Sequence, residues 1–272
     1  MIGQKRLLAD LEVLGTRFPR FSIFVGPVGS GRKLIVRKVA KQLQANLVML
    51  ETRVDAIREA IDMAYKQKHP VIYLVADADN MNIAAKNALL KVTEEPPRRA
   101  YFIMTLKDIE NTLPTLTSRA TIFHLAPYTE QELREYAERY DVRDDQVLDI
   151  LVNICITPGE IDQLVGTDIL GFYEYVKKVV DNIGKVSGPN AFKIAQALKF
   201  KDGESGHDVI LFLRTVIYYY HKQALAMEGD PLQLFKSISI TSECLRAMGY
   251  NGINRRSLFD LWILDMREIW RG

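Results

Sequence analysis

The stretch GPVGSGRK, residues 26–33, contains the first residues whose types and spacing could do chemistry. A phosphate-binding loop follows the pattern G-x-x-x-x-G-K-[ST], in which the lysine neutralises phosphates and the hydroxyl holds Mg²⁺. Gly26 and Gly31 match the two glycines of the pattern. Arg32, however, takes the place of the lysine, and Lys33 takes the place of the hydroxyl. Because a lysine side chain has no acceptor atom, Lys33 cannot hold a metal ion.

A strand, a glycine turn and a helix must follow one another if such a loop is to work. The apolar run FSIFV (21–25) predicts a buried strand before the turn. The segment RKLIVRKVAKQLQ (32–44) predicts an amphipathic helix after it, with an apolar face that contains Leu34, Ile35, Val39 and Leu43. The alternative is a glycine turn kept only for the geometry of the fold, although the helix N-terminus could still hold an anion.

Strands and helices alternate as far as residue 125, which predicts an α/β domain with a parallel sheet. Apolar runs predict further strands at 47–51, 71–79, 100–105 and 121–125. Helical patterns lie at 54–67 and 82–95. Asn82 can cap the second of these helices, and Pro96 ends it.

After Pro127 the pattern becomes helical throughout. Thr129 with Glu132 three residues later forms a capping box, a signature of a helix start. Breaks between helices are expected at DGESG (202–206) and EGDP (228–231). We therefore predict three domains: an α/β domain over 1–126, a small helical domain over 127–185 and a helical domain over 186–272.

Composition limits the classes of function. The chain has 272 residues and a formal net charge of +2, so any nucleic-acid contact must come from a local patch. Its two cysteines, Cys155 and Cys244, lack the spacing of a metal site or a disulfide framework, so we expect no metal and a reducing compartment. No apolar run reaches about 18 residues, and the first residues lack a secretory pattern, so we expect neither export nor a membrane span.

Four motifs in order resemble the clamp-loader subunits of the AAA+ ATPase family. The acidic end of the strand at 71–79 is followed by Asn-Ala-Leu-Leu-Lys (87–91) and Glu-Glu-Pro-Pro (94–97). LPTLTSRA (113–120) resembles the family's Leu-Pro-Thr-Ile-x-Ser-Arg-Cys segment, with alanine in place of the cysteine, and Ile2-Gly3-Gln4 also fits. The resemblance covers residues 1–125. It implies an AAA+ P-loop-type domain followed by a helical lid and a helical collar that mediates oligomerisation.

The resemblance also implies a degenerate nucleotide site. Ala76 falls where the family has its metal-binding aspartate, Asp77 falls where it has its catalytic glutamate, and Asp162 falls where active lids carry an arginine. Phosphoryl transfer depends on charge neutralisation and positioning, so we expect no hydrolysis in this chain and no nucleotide cofactor of its own. The degenerate site would consist of Gly26, Gly29, Gly31, Arg32, Lys33 and Asp77.

Ser118 and Arg119 match the segment that carries an arginine finger in clamp loaders. Such a finger acts on ATP and Mg²⁺ held by the neighbouring subunit. The combination of a degenerate site and a retained finger resembles the delta-prime, or stator, type of subunit, although this chain lacks the four-cysteine zinc module of many bacterial relatives. The expected partners are other clamp-loader subunits in a heteropentameric ring, the sliding clamp and primer–template DNA, with no membrane. The helix after Asn82, with Lys86 and Lys91, would face the DNA.

Two other functions stay open at this point. One is an autonomous AAA+ ATPase with an unusual loop in which Lys33 serves the phosphates. The other is a non-catalytic scaffold that keeps the fold only for protein contacts. Ala76 and Asp162 favour the stator role over the first, and Ser118 and Arg119 favour it over the second. The expected location is the cytoplasm, at the nucleoid or replication fork, or the host cytoplasm if a phage encodes the protein.

Overall fold

The structure, a computed structural model, describes residues 2–142, 144–186, 188–200, 206–250 and 252–271. The chain divides into two compact units. The first contains Met1–Tyr136 and Thr157–Gln163, and the second contains Ala137–Ile156 and Leu164–Gly272. The finer division into domains at 1–126, 127–185 and 186–272 stays a prediction.

The first unit is built on a parallel sheet. Its strands are β1 (Phe21–Val25), β2 (Asn46–Leu50), β3 (Val71–Val75), β4 (Ala100–Leu106) and β5 (Thr121–His124). They lie in the spatial order β2-β3-β4-β1-β5, and all pairs are parallel. The five predicted strands and the α/β class are therefore confirmed, except that the strand predicted over 71–79 ends at Val75, where the chain turns into a short 3₁₀ helix (Ala78–Asn80). Because the strands are parallel, their carboxyl ends share one edge of the sheet and their amino ends share the opposite edge.

Helices connect the strands of the first unit and form nearly all of the described second unit. In chain order they are α1 (Lys5–Leu14), α2 (Arg32–Gln42), α3 (Val54–Ala64), α4 (Ile83–Ala88), α5 (Leu90–Glu94), α6 (Pro114–Thr117), α7 (Glu130–Ala137), α8 (Asp145–Ile154), α9 (Pro158–Leu164), α10 (Ile169–Asn182), α11 (Gly188–Ile194), α12 (Val209–Leu225), α13 (Pro231–Ala247) and α14 (Arg255–Ile269). The helical region after Pro127 is confirmed, with one exception. Two short strands, β6 (Leu198–Lys199) and β7 (His207–Asp208), pair with each other.

Apolar layers cover both faces of the sheet. Strands β1, β3 and β4 are buried along their whole length, as their continuous apolar runs predict. One face packs against α3, whose Ile57, Ile61 and Ala64 are buried. The other face packs against α1 and α2. The central strands are thereby fixed, and with them the loops at both edges of the sheet.

The structure corrects two local predictions. Leu34 was expected on the buried face of α2, but it is half exposed, while Val36 is fully buried. Leu34 lies in the first turn of the helix and lines a cavity beside the glycine loop, which explains the difference. The helix expected over 82–95 is two short helices, α4 and α5, which meet at Leu89. Asn82 caps α4 as predicted, because its side chain accepts a hydrogen bond from the N–H of Ala85 at 2.8 Å.

Aromatic side chains and acidic partners organise the second unit. Tyr218, Tyr219 and Tyr220 on α12 are buried, so these three aromatic side chains contribute to the packing of the second unit. The hydroxyl of Tyr218 donates to Asp149 on α8, and that of Tyr219 donates to Asp181 on α10. The predicted break at 228–231 lies between α12 and α13. Of the predicted break at 202–206, residues 202–205 lie outside the described residues.

A polar ladder is buried between α13 and α14. Trp262 Nε1 donates to Thr241 Oγ1 at 2.9 Å, and Thr241 donates to the carbonyl of Ser237 at 2.6 Å. Trp270 Nε1 donates to Ser237 Oγ at 2.9 Å. Both indole N–H groups therefore have acceptors. Among the described residues, no helix is both long and apolar enough to cross a membrane.

Candidate functional site

The glycine loop lies between β1 and α2, where the sequence predicted it. It leaves the carboxyl end of β1, and Gly26 N donates to the carbonyl of Leu106 at 3.1 Å. Gly29 and Gly31 have φ of 80° and 89°, a region that side chains with a Cβ disfavour. Ser30 closes the turn, since its hydroxyl donates to the carbonyl of Pro27 at 2.7 Å. The predicted strand, turn and helix are therefore all present.

The two cations at the start of α2 are bound by one carboxylate of the chain itself. Asp77 Oδ1 lies 2.8 Å from Arg32 Nη2, and Asp77 Oδ2 lies 2.8 Å from Lys33 Nζ. The Arg32 side chain is only 5% exposed, whereas Asp77 is 34% and Lys33 is 50% exposed. The structure thus brings together three residues that the sequence placed in one degenerate site, and it pairs them with each other.

The ionisation of these groups follows from their neighbours. Burial alone would raise the pKa of Asp77, but the hydrogen bond from Lys33 and the charges of Lys33, Arg32 and Lys107 outweigh it and hold that pKa below its ordinary value. Burial lowers the pKa of Arg32, and the charges of Asp77 and Asp79 offset only part of this effect. The carboxylate of Asp77 is therefore stabilised in its charged form by the same cations that a phosphate would need.

Arg32 has one further feature. Its second terminal nitrogen, Nη1, is buried and has no hydrogen-bond partner among the described residues. A buried donor without an acceptor is unfavourable by about 1–3 kcal/mol. A small anion or a water molecule next to Nη1 would supply the missing acceptor.

The residues at the end of β3 do not fit Mg²⁺. Ala76 has no ligand atom, and it packs against the apolar layer around α2. Asp79 accepts hydrogen bonds from Asn111 Nδ2 at 2.9 Å and from the N–H of Lys107 at 3.0 Å, so it braces the chain after β4. Within the described residues, no group of three or more His, Cys, Asp or Glu side chains could hold a metal ion. Ala76 and Lys33 therefore offer no oxygen ligand at the two positions where P-loop proteins hold Mg²⁺.

The start of α9 covers the glycine loop, a contact that sequence reasoning missed. Thr157 Oγ1 donates to the carbonyl of Val28 at 3.0 Å, and Gly159 N donates to the carbonyl of Gly29 at 3.1 Å. Tyr128 donates through its hydroxyl to the carbonyl of Ser30 at 2.8 Å. The residue that permits this contact is Gly159. Its lack of a side chain permits the close approach, because a Cβ there would lie 2.5 Å from the Cα of Gly29.

A cavity of about 300 Å³ remains beside the loop. It is lined by both paired cations, by Asp77 and by aromatic and aliphatic side chains, including Leu34, Tyr128 and Tyr136. Asp162 also lines it. The sequence placed an acid at this position where active relatives carry an arginine, and the structure puts that acid at the cavity. A phosphate in the cavity would therefore lie near two carboxylates.

Arg119 lies at the other edge of the sheet. It follows α6 and precedes the amino end of β5, whereas the glycine loop and Asp77 follow the carboxyl ends of β1 and β3. Five strand residues separate these edges by about 16 Å. Arg119 Nη2 lies 3.1 Å from Glu94 Oε1, and Nη1 donates to the carbonyl of Thr115 at 2.9 Å. Arg119 therefore cannot serve the glycine loop of its own chain.

Ser118 and the three predicted DNA contacts have different surroundings. Ser118 donates to the carbonyl of Thr115 at 3.2 Å and is exposed. The side chain of Asn82 is used as a helix cap. Lys86 is buried, and its ammonium group donates to the carbonyl of Asn111. Lys91 is exposed, with its ammonium 5.8 Å from the centre of the Tyr65 ring. Of the two lysines, only Lys91 presents its charge to solvent.

The sequence of this chain is similar to those of DNA polymerase III subunits. A family model described as DNA polymerase III, delta subunit, matches residues 31–129. DNA polymerase III subunit delta' of Escherichia coli is 38% identical over 81 residues, which cover 29% of this chain and 24% of that protein. Subunit delta' of Buchnera aphidicola is 26% identical over 203 residues, 71% of this chain and 60% of that protein. Subunit gamma of Buchnera aphidicola is 27% identical over 111 residues, 38% of this chain and 30% of that protein.

These matches span between 24% and 60% of the length of the curated relatives. Among solved structures, the Thermotoga maritima RuvB Holliday junction branch migration motor superposes on 98% of this chain and 88% of its own, with a TM-score of 0.51 and 15% identity. That likeness shows the AAA+ fold alone. The delta' and gamma matches show that this chain is similar to DNA polymerase III clamp-loader subunits and resembles the delta-prime subunit.

Proposed function

We propose that this protein is a non-hydrolysing subunit of a sliding-clamp loader. The observation that carries the proposal is the double ion pair of Asp77 with Arg32 and Lys33. These are the only two side-chain cations among the described residues that line the loop cavity. A nucleotide that bound Arg32 Nη2 and Lys33 Nζ would displace the carboxylate of Asp77 from both. The displaced carboxylate would then face the phosphates with no metal ion to separate the negative charges.

Charge neutralisation is most of what a protein contributes to phosphoryl transfer. Here the metal ligands are missing at Ala76 and Lys33, and Asp162 adds a carboxylate to the cavity. We therefore expect no Mg²⁺-nucleotide to act in this chain. In this proposal, ATP and Mg²⁺ belong to a neighbouring subunit.

The second part of the proposal concerns Arg119 and Ser118. Their position at the amino edge of the sheet, away from their own loop, supports a role at a site held by another chain. The side chain of Arg119 is 38% exposed, and its guanidinium is bound by one exposed carboxylate, Glu94, and one carbonyl. Such weak contacts allow the guanidinium to exchange partners on assembly. We propose that it stabilises the transferring phosphoryl group of the neighbour's ATP.

The remaining elements of the proposal come from the resemblance to delta-prime and gamma subunits. The partners would be other clamp-loader subunits in a heteropentameric ring, the sliding clamp and primer–template DNA, in the cytoplasm at the replication fork. Lys91 is retained as a candidate DNA contact on the helix side. Lys86 is not retained, because its ammonium group is buried and bonded to Asn111.

The test is ATP hydrolysis by the isolated full-length chain. We expect no turnover above background and no change on Arg32→Ala. Binding of a fluorescent ATP analogue should not strengthen when Mg²⁺ is added, because the loop has no metal ligand. A turnover of about 1 s⁻¹ that disappears with Arg32→Ala would show a working site and would favour an autonomous ATPase instead.

A further inference from the structure

Cations accumulate where the chain enters three neighbouring strands of the first unit. Arg17 and Arg20 precede β1, Lys66 and Lys68 precede β3, and Arg98 and Arg99 precede β4. We call these six residues the basic edge. The three entering segments, 15–20, 65–70 and 95–99, contain one acid, Glu95. Their formal charge is therefore +5, while the whole chain carries +2, so the other residues together are net negative.

Backbone hydrogen bonds hold the three segments side by side. The N–H of Val71 donates to the carbonyl of Arg99 at 2.9 Å, and the N–H of Phe102 donates to the carbonyl of Arg20 at 2.8 Å. The guanidinium of Arg99 donates to the carbonyl of Lys68. Because β3, β4 and β1 are consecutive in the sheet, the segments lie about 4.8 Å apart from one to the next. The basic edge is therefore a fixed row.

The charges of this row are available to a partner. Five of the six side chains belong to exposed residues, and Arg20 is partly buried with its guanidinium 4.3 Å over the Tyr101 ring. Within the described part of the chain, none of the six forms an ion pair with a carboxylate. Arg32, Lys33 and Arg119 in the same unit are all paired. The positive charge of the basic edge is therefore not compensated by carboxylates, unlike the charges of these three cations.

We propose that the basic edge binds the sugar–phosphate backbone of DNA, without reading its sequence. Three strands span about 10 Å, and the long lysine and arginine side chains extend that reach on both sides. With its side chains extended, the row is long enough to contact about four phosphates of a duplex. This inference rests on the charge and geometry of the edge and does not require the loader function or Arg119.

An acidic protein surface is the competing partner, and the composition of the edge disfavours it. Protein interfaces are organised around buried aromatic and apolar residues. Among the exposed large apolar side chains of this chain, only Tyr65 belongs to the three entering segments. A surface of charge with almost no apolar centre is typical of phosphate-backbone contacts.

The experiment uses fluorescence anisotropy of a labelled 20-base-pair duplex with the full chain over a range of salt concentrations. We expect the logarithm of the binding constant to fall with the logarithm of salt with a slope of about −4. The double variant Arg98→Gln/Arg99→Gln should weaken binding at least about 10-fold and reduce the magnitude of the slope by about 2. The matched control is Arg37→Gln/Lys38→Gln, which removes two exposed charges of α2 in the same unit and should leave the slope unchanged.

Three outcomes would overturn the proposal. The first is no DNA binding by the wild type. The second is an equal loss in both double variants, which would show an effect of net charge alone. The third is competition by poly-glutamate, at equal charge, as strong as that by unlabelled DNA, which would indicate an acidic protein partner. Equal affinity for two duplexes of unrelated sequence would support backbone recognition. Because all six side chains lie at the surface or its margin, thermal melting should confirm that each variant is folded.

Discussion

Asp77 Oδ1 lies 2.8 Å from Arg32 Nη2, although 45 residues separate the two in sequence. The pair joins the end of β3 to the start of α2, across the edge of the sheet where phosphates bind in P-loop proteins. Arg32 is almost wholly buried in this arrangement. The ion pair therefore has two effects: it neutralises the cations at the start of α2, and it holds the end of β3 against the start of that helix.

The first prediction tests the structural effect. Asp77→Asn leaves the buried Arg32 without its counter-charge and should lower the free energy of unfolding by about 1–3 kcal/mol at pH 7, below the range for fully buried pairs because Asp77 is one-third exposed. Urea denaturation measures this difference. Asp62→Asn, an exposed acid on α3, is the control and should change stability by less than about 0.5 kcal/mol.

The same pair predicts a pH dependence. The pKa of Asp77 is lowered on folding from its ordinary value of 3.8. Its contribution to stability is therefore fully present above that value and is lost as the pH falls through the folded-state pKa. The difference in stability between the wild type and Asp77→Asn should be constant from pH 5 to 7 and should shrink below about pH 4. A difference that grows on acidification would contradict the ion-pair interpretation.

A second prediction separates two roles of Arg119. In a reconstituted loader whose other active sites are disabled, Arg119→Ala should reduce the neighbour's ATP hydrolysis by about 10³-fold or more. Glu94→Gln breaks the same ion pair but keeps the guanidinium, so it should leave the rate near wild type. Neither variant should change stability by more than about 1 kcal/mol, since the pair is exposed. Equal rates for both variants would reduce Arg119 to a surface ion pair.

The third prediction concerns the cover over the glycine loop. A Cβ on Gly29 would lie 2.6 Å from Thr157 Oγ1 and 2.9 Å from the Cα of Gly159. Gly29→Ala should therefore destabilise the protein by at least about 3 kcal/mol, from backbone strain and displacement of the cover together. Gly166 has a similar φ of 83° with nothing near its Cβ position, so Gly166→Ala should show the strain alone, about 1 kcal/mol. Urea denaturation compares the two.

The fourth prediction tests the buried ladder of the second unit. Thr241→Val removes the acceptor of the Trp262 indole N–H and should lower the free energy of unfolding by about 1–3 kcal/mol. Ser242→Ala removes a hydroxyl that donates only to the carbonyl of Ile238, so it should change stability by less than about 0.5 kcal/mol. Tryptophan fluorescence follows unfolding directly, since both tryptophans of the chain, Trp262 and Trp270, belong to the ladder. Equal losses would contradict the assigned hydrogen bond.

Periodicity predicted the fold where burial is continuous. The apolar runs before the glycine loop and before Asp77 form strands that are buried on both faces. A parallel strand buried in this way needs apolar residues at nearly every position, so its sequence is easy to recognise. The prediction was wrong at Leu34, where an apolar residue faces a cavity. Periodicity also did not separate α4 from α5, because both short helices continue the same apolar pattern across Leu89.

The candidate site was only partly predictable, for a different reason. The substitutions Arg32, Lys33, Ala76 and Asp77 could be identified by position in the motifs. The ion pairs of Asp77 with Arg32 and Lys33 could not be predicted, since they depend on the distance between two loops. The cover formed by Thr157 and Gly159 depends on a contact between distant parts of the chain. The sequence alone does not distinguish a glycine that permits the close approach of two segments from a glycine that ends a helix.

That cover also imposes an order on folding during synthesis. Thr157 reaches Val28 across 129 residues of chain, and the chain leaves the first unit at Tyr136 before it returns at Thr157. At ribosomal rates of about 5–20 residues per second, the glycine loop is made roughly 6–26 s before the segment that covers it. During that interval the carbonyls of Val28 and Gly29 have no partner from the start of α9. The nascent loop is therefore open to solvent and to chaperones for longer than any strand of the sheet needs to find its neighbour.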